Sequence, residues 1–160
     1  MTWNEVCADT SLADLPYRIE LNRFGQIVMS PIRKSHSRFA GRISGKLTVL
    51  LPHGEPSVEP PVETTDGIKC PDVAWASDER ANRRPDEFTW SIAPEICVEV
   101  LSESNSREEM EIKRRLYFES GALEVWLCDR QGAMKFFNPQ GEIPGSILCP
   151  AFPASVATKS

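Results

Sequence analysis

The stretch ICVEVL, residues 96–101, sets five apolar residues around one carboxylate, Glu99. Pro94 on one side and Ser102 with Asn105 on the other bound a run whose length reads as a β-strand buried on both faces. An ionised carboxylate in such a strand is strongly destabilising when unpaired. Glu99 is therefore expected to hold a proton, an opposite charge or a metal ion.

The elements on either side of this strand define the fold. Downstream, Ser106 followed by Glu109 is an S-x-x-E capping box, and the helix it opens runs through IKRRLYFES to Gly121, a natural C-terminal stop. LEVWLCD, 123–129, is a second apolar strand, and AMKFFN, 133–138, is a third after the turn Arg130, Gln131, Gly132. Strand, helix and strand across 94–129 predict a right-handed crossover joining a parallel pair.

Upstream, PDVAWAS, 71–77, reads as another strand, and SVEPPVET within the Pro- and Glu-rich segment 54–64 as an irregular edge strand. Ser35 is the expected N-cap of an amphipathic helix whose Phe39, Ala40, Ile43, Leu47, Leu50 and Leu51 recur at helical spacing up to Pro52. YRIELN and QIVMS pair as a hairpin around Gly25, ended by Pro31. Residues 1–16 read as a loosely structured lead, the polar run DERANRRPDE, 78–87, as a surface loop, and the tail 139–160 as irregular or wrapping the core. The expected architecture is α/β: a mixed central β-sheet flanked by two main α-helices, with an N-terminal β-hairpin, in one domain over 1–160 whose core spans about 17–138.

A chain of 160 residues buries about two thirds of its unfolded surface without help from disulfides or metals. Hydrophobic content of 41% and charged content of 26% argue against both disorder and a membrane protein. No apolar run approaches the roughly 18 residues of a spanning helix. The opening MTWNEVCAD lacks the basic and apolar regions of a secretory signal, so the protein is expected in the cytoplasm. Five cysteines without a C-x-x-C pair exclude a zinc or disulfide framework, and Cys97 and Cys128 read as small core hydrophobes. A net charge of -5 and a pI of about 5.1 exclude binding of DNA by overall basicity, so any nucleic-acid contact must be local or assisted by bound cations. One local basic stripe exists, Arg38, Arg42 and Lys46, which reads either as a solvated helix face or as a phosphate contact.

Three residues carry candidate chemistry. Asp72 stands at the start of one strand, Glu99 lies inside the next, and Lys113 shares a helix face with Met110 and Tyr117, directed at the sheet. Two carboxylates on adjacent strands form a hard oxygen site suited to Mg²⁺ or Mn²⁺, with the backbone carbonyl of Val100 as a further ligand. Such a cation polarises a phosphate and acidifies a bound water, while a lysine orients that water or stabilises developing charge, which together suits phosphodiester hydrolysis. The competing reading makes Glu99 and Lys113 a buried structural ion pair and Asp72 a turn residue. Such pairs contribute little net stability, so their retention invites a functional explanation. Asp129 and Tyr117 read as a strand-end turn residue and a core aromatic with a polar tip.

PDV in one strand, EVLSES in the next, then KRRLYFESGALEVWLCD resemble the Uma2 family, formerly DUF820, a bacterial group of endonuclease-like proteins within the PD-(D/E)xK nuclease superfamily. The similarity extends to YRIELNRFGQIVMSP and to the helix opening at His36, covering most of 17–138. The resemblance implies the nuclease-like core, Asp72 and Glu99 as metal ligands and Lys113 as the catalytic lysine. The usual place of that lysine, two residues after the glutamate, is here Leu101, so the match is to the variant in which it has moved to the next helix. Glu20 matches an acidic position and is implied as an auxiliary ligand, and His36 matches a histidine near the first helix start. Glu109 stands where the family more often has Asp. The implied function is a Mg²⁺- or Mn²⁺-dependent DNA endonuclease of restriction type, working as a homodimer. The alternative is a catalytically inactive member of the same fold that uses its acidic pocket for structure or partner binding.

Overall fold

A computed structural model describes residues 1–32, 34–83 and 88–159, with the backbone alone for Lys34 and Ser35. The lead expected to be loose is instead folded. A helix, α1 (Trp3–Ala8), is closed by a capping box in which Thr2 Oγ1 accepts from the Glu5 N–H and the Glu5 carboxylate accepts from the Thr2 N–H. A 3-10 turn, Thr10–Leu12, follows on Asp9. Strands β1 (Tyr17–Leu21) and β2 (Ile27–Pro31) form the expected antiparallel hairpin, with Gly25 turning at φ 73.

Helix α2 (Lys34–Leu50) begins one residue before its expected cap, and the Ser35 side chain lies outside the described residues. The Pro- and Glu-rich segment splits into two strands, β3 (Gly54–Val58) and β4 (Val62–Thr64), because Glu59 takes a positive φ of 52 ahead of two prolines. β4 pairs with β5 (Gly67–Lys69) and bridges Trp90, and β6 (Val73–Ser77) follows. The polar run expected as a loop opens as a helix, α3 (Asp78–Arg83). Its first turn gains Ser77 Oγ, which accepts from the Arg80 N–H, and Glu79 pairs with Arg83 one turn on. The rest of that run, 84–87, lies outside the described residues.

The opening stretch is β7 (Ile96–Val100), buried at every position. Helix α4 (Arg107–Glu119) starts on Ser106, whose hydroxyl accepts from the Glu109 N–H. The Glu109 carboxylate accepts from Asn105 Nδ2. Gly121 ends the helix at φ 110, a left-handed conformation that side chains resist. β8 (Glu124–Cys128) and β9 (Met134–Asn138) complete the expected strands, and Asp129 Oδ1 caps the turn between them by accepting from Gln131 and Ala133. The tail adds one short strand, β10 (Gly141–Ile143), where an irregular chain was expected, because the Asn138 turn returns it antiparallel to β9.

Six strands form the central sheet in the order β10-β9-β8-β7-β6-β3. β7 and β8 run parallel and the other neighbours antiparallel, so the sheet is mixed. Alternation along β7 sends Ile96, Val98 and Val100 to one face, against Phe39, Ile43 and Leu47 of α2 and Phe152 and Val156 of the tail. Cys97 faces the other way, toward Tyr117 of α4. The same parity turns Glu99 toward α4. Among the described residues no helix is long and apolar enough to cross a membrane.

Candidate active site

The register of β6 on β7 pairs Val73 with Val98, so the next step along the sheet sets Asp72 beside Glu99. Both are almost fully buried, each 1% exposed. Asp72 Oδ2 accepts from the Val100 N–H at 2.6 Å and faces His36 Nε2 at 3.0 Å. Its Oδ1 accepts from Arg18 Nη1 at 2.5 Å. The same guanidinium nitrogen reaches Glu99 Oε2 at 3.1 Å and the Cys70 carbonyl at 3.2 Å. Arg18 thus sits between the two carboxylates.

Glu99 Oε1 accepts from the Tyr117 hydroxyl at 2.6 Å and from Lys113 Nζ at 3.4 Å. Lys113 is buried against the sheet, as its helix face predicts, and also contacts Glu20, 3.1 Å from Oε1. Glu20 in turn accepts from the Cys70 N–H at 2.6 Å. Three carboxylates, two permanent cations, a histidine and a tyrosine therefore share one buried cluster, contributed by β1, α2, the start of β6, β7 and α4.

The electrostatics separate the paired carboxyls. Burial and the charge of Glu99 push Asp72 up to about 6, against the pull of His36 and Arg18. Burial also works against the Glu99 charge, but Lys113, Arg18 and the Tyr117 hydroxyl outweigh it and hold that carboxyl well below the usual range. Glu99 is the charged partner. Burial alone would lower Lys113, yet Glu99 and Glu20 raise it, so it remains an ammonium. Burial and the neighbouring Glu99 charge push the Tyr117 hydroxyl well up, which keeps it a donor.

Two members of the cluster were not singled out as site residues from the sequence. Arg18 lies two residues before Glu20 on β1, and both are buried, so strand alternation puts them on one inward face. That alternation was the available signal. Tyr117 is one helical turn after Lys113, and the hydroxyl read as a polar tip is the one that binds Glu99. For Val100 the amide N–H is the group seen on Asp72. In the basic stripe, Arg42 is committed to the tail through the carbonyls of Val156 and Ala157.

The donors suit a hard divalent cation in type, two carboxylates on adjacent strands with a third at Glu20 nearby. Among the described residues, however, no three side chains of His, Cys, Asp or Glu are gathered around one point. The gap between the carboxylates is filled by Arg18.

The mixed sheet, with Asp72 and Glu99 side by side and Lys113 delivered by the following helix, is the nuclease-like core that the resemblance implied. The family is narrower: the Uma2 model, described as "Putative restriction endonuclease", matches residues 10–141, and the chain belongs to that family. Among solved structures it is similar to a "putative nuclease belonging to DUF820 from Anabaena variabilis", with a TM-score of 0.76 at 18% identity over 97% of this chain and 94% of that one. No curated protein matches the chain.

Proposed function

We propose that this chain is a metal-dependent DNA endonuclease of restriction type, acting in the cytoplasm as a homodimer. Asp72 and Glu99 are its metal ligands, with the Val100 carbonyl and Glu20 as auxiliary ligands, Lys113 as the catalytic lysine and His36 in an auxiliary role. The observation that carries this reading is that Asp72 and Glu99 converge on a single cation, Arg18, while Lys113 reaches Glu99 from α4. Buried carboxylates that share a cation so closely are already arranged to hold one.

A Mg²⁺ or Mn²⁺ ion held there would polarise the scissile phosphate and supply a nucleophilic water. Lys113, kept protonated by Glu20 and Glu99, serves as a charge stabiliser rather than a base. The Tyr117 hydroxyl and the Val100 N–H fix the orientation of the two carboxylates. The Val100 carbonyl leaves its strand on the same side as its N–H, which favours its role as a ligand. DNA as substrate is supported by the family and by a local groove lined by Arg38 and Lys46 of α2, the helix that carries His36, and by Lys159 of the tail. Cutting both strands needs two sites, which a twofold dimer supplies.

The second reading, an inactive member of the fold, is favoured by one specific observation: Arg18 fills the gap in which a metal would sit. Plasmid nicking in Mg²⁺ or Mn²⁺ separates the two. Wild type is expected to nick supercoiled DNA, and Glu99→Gln to do so at least about a thousandfold more slowly, the loss of one key charge in the site. Equal nicking by both would remove Glu99 from the chemistry.

A further inference from the structure

Arg18 is the one member of the cluster for which the nuclease reading supplies no task. Its guanidinium lies within hydrogen-bonding distance of Asp72 Oδ1, Glu99 Oε2 and the Cys70 carbonyl through a single nitrogen. With the side chain in this place the carboxylates are each 1% exposed and Arg18 itself 8%. A hydrated cation has no approach to the pair, and the electrostatic demand that would draw it in is already met.

We propose that Arg18 is the resident counter-ion of the carboxylate pair and is exchanged for the divalent cation, so that metal entry and guanidinium withdrawal are one event. This rests on the reading of Asp72 and Glu99 as metal ligands. Two carboxylates side by side in a buried sheet repel each other unless one takes up a proton or positive charge lies between them, and here Arg18 supplies that charge. A monovalent side chain does this without metal, and a divalent ion with free coordination positions does it more strongly once it reaches the oxygens.

The fold allows the exchange. Arg18 is on β1, and the β1–β2 hairpin is a two-stranded sheet with no strand pairing to the six-stranded one. β2 has no buried residue, so the hairpin has little core of its own. Its polar links to the segment before β6 are Cys70 N–H to Glu20, Cys70 Sγ to the Ile19 carbonyl, Lys69 Nζ to the Leu21 carbonyl, Arg23 N–H to Asp66 Oδ1 and the Arg18 guanidinium to the Cys70 carbonyl, and Gly67 packs closely on the Leu21 and Asn22 backbone. The guanidinium can therefore leave by side-chain torsion or by a shift of the hairpin while the central sheet stays intact.

The test is Mn²⁺ affinity of the full chain, read by the electron paramagnetic resonance of free Mn²⁺ and by the metal-induced rise in melting temperature. Arg18→Met removes the charge at similar length. It is expected to melt below wild type in metal-free buffer, and to bind Mn²⁺ roughly tenfold or more tightly because the competing cation is gone. Arg18→Lys keeps a charge but on a shorter side chain without the planar guanidinium, and its affinity is expected between the two. Adding Glu99→Gln to Arg18→Met should abolish the gain. Equal Mn²⁺ affinity in wild type and Arg18→Met, both lost with Glu99→Gln, would overturn the exchange while leaving the metal site standing. If Arg18→Met does not fold even with Mn²⁺, wild-type affinity in Arg18→Lys overturns the exchange. No Mn²⁺ binding by any of these proteins would overturn the metal site itself.

Discussion

Lys113→Ala is expected to lower the stability of the chain by about 3–5 kcal/mol, the cost of leaving a buried charge uncompensated. Two carboxylates lose their shared ammonium in that variant, Glu20 at 3.1 Å and Glu99 at 3.4 Å, and both are buried. Water cannot replace the lost charge at a position 6% exposed. In a thermal melt the loss corresponds to roughly 6–20 °C for a chain of this size. The cluster as a whole is a different matter. Combining Lys113→Met with Glu20→Gln and Glu99→Gln removes the charges together, and most of the loss should be recovered, since buried ion groups exchanged for uncharged side chains are often neutral in stability. That recovery would indicate that the charges are retained for chemistry. A triple variant as unstable as Lys113→Ala would assign them to the fold instead.

Glu124→Ala is expected to cost a similar amount, about 3–5 kcal/mol, for a different reason. Glu124 opens β8 and is 2% exposed, yet among the described residues it pairs with no cation. Its Oε1 accepts from Ser146 Oγ at 2.6 Å and from Trp126 Nε1 at 2.8 Å. Its Oε2 accepts from the Ile147 N–H at 2.9 Å and the Leu148 N–H at 2.8 Å. One carboxylate therefore fastens the C-terminal segment to the central sheet, where Phe152 of that segment packs on Trp126 with ring centroids 4.6 Å apart. Alanine would leave Trp126 Nε1 and Ser146 Oγ buried without this acceptor, each at about 1–3 kcal/mol before relaxation. Glu124→Gln keeps one acceptor oxygen and should lose markedly less. A urea melt measures both, and loss of near-ultraviolet ellipticity from Trp126 below the main transition would report early release of the tail. A Glu124→Ala variant within about 0.5 kcal/mol of wild type would show that the tail is held by packing alone.

Legibility in the sequence followed how local the deciding physics is. β7, β8 and α4 carry their signals within a few residues: an apolar run, a capping serine and a stopping glycine. These elements formed where the pattern put them. α1 carried a comparable signal, Thr2 with Glu5, but a cap without a long apolar stripe behind it reads as loop. α3 is decided by Arg80, whose guanidinium meets Glu95 at 2.7 Å and the carbonyls of Ala93 at 2.7 Å and Gly121 at 2.9 Å, partners at a distance in sequence. In the site, the strand order that sets Asp72 beside Glu99 and the helix face of Lys113 could be read from spacing. For Arg18, strand alternation fixed only the face it shares with Glu20; its partners depend on where the N-terminal hairpin docks, which no local pattern specifies. Glu124 escaped for the same reason, since three of its four donors arrive from a tail some twenty residues later.

The proposed function requires that a divalent cation held by Asp72 and Glu99 drive DNA cleavage. The most direct measurement is conversion of supercoiled plasmid to nicked and linear forms by wild type and by Asp72→Asn, each in Mg²⁺, in Mn²⁺ and in EDTA. Wild type is expected to cleave in either metal and not in EDTA, and Asp72→Asn to cleave at least about a hundredfold more slowly at a wild-type melting profile. Cleavage that persists in EDTA, or that proceeds equally in Asp72→Asn, would contradict it.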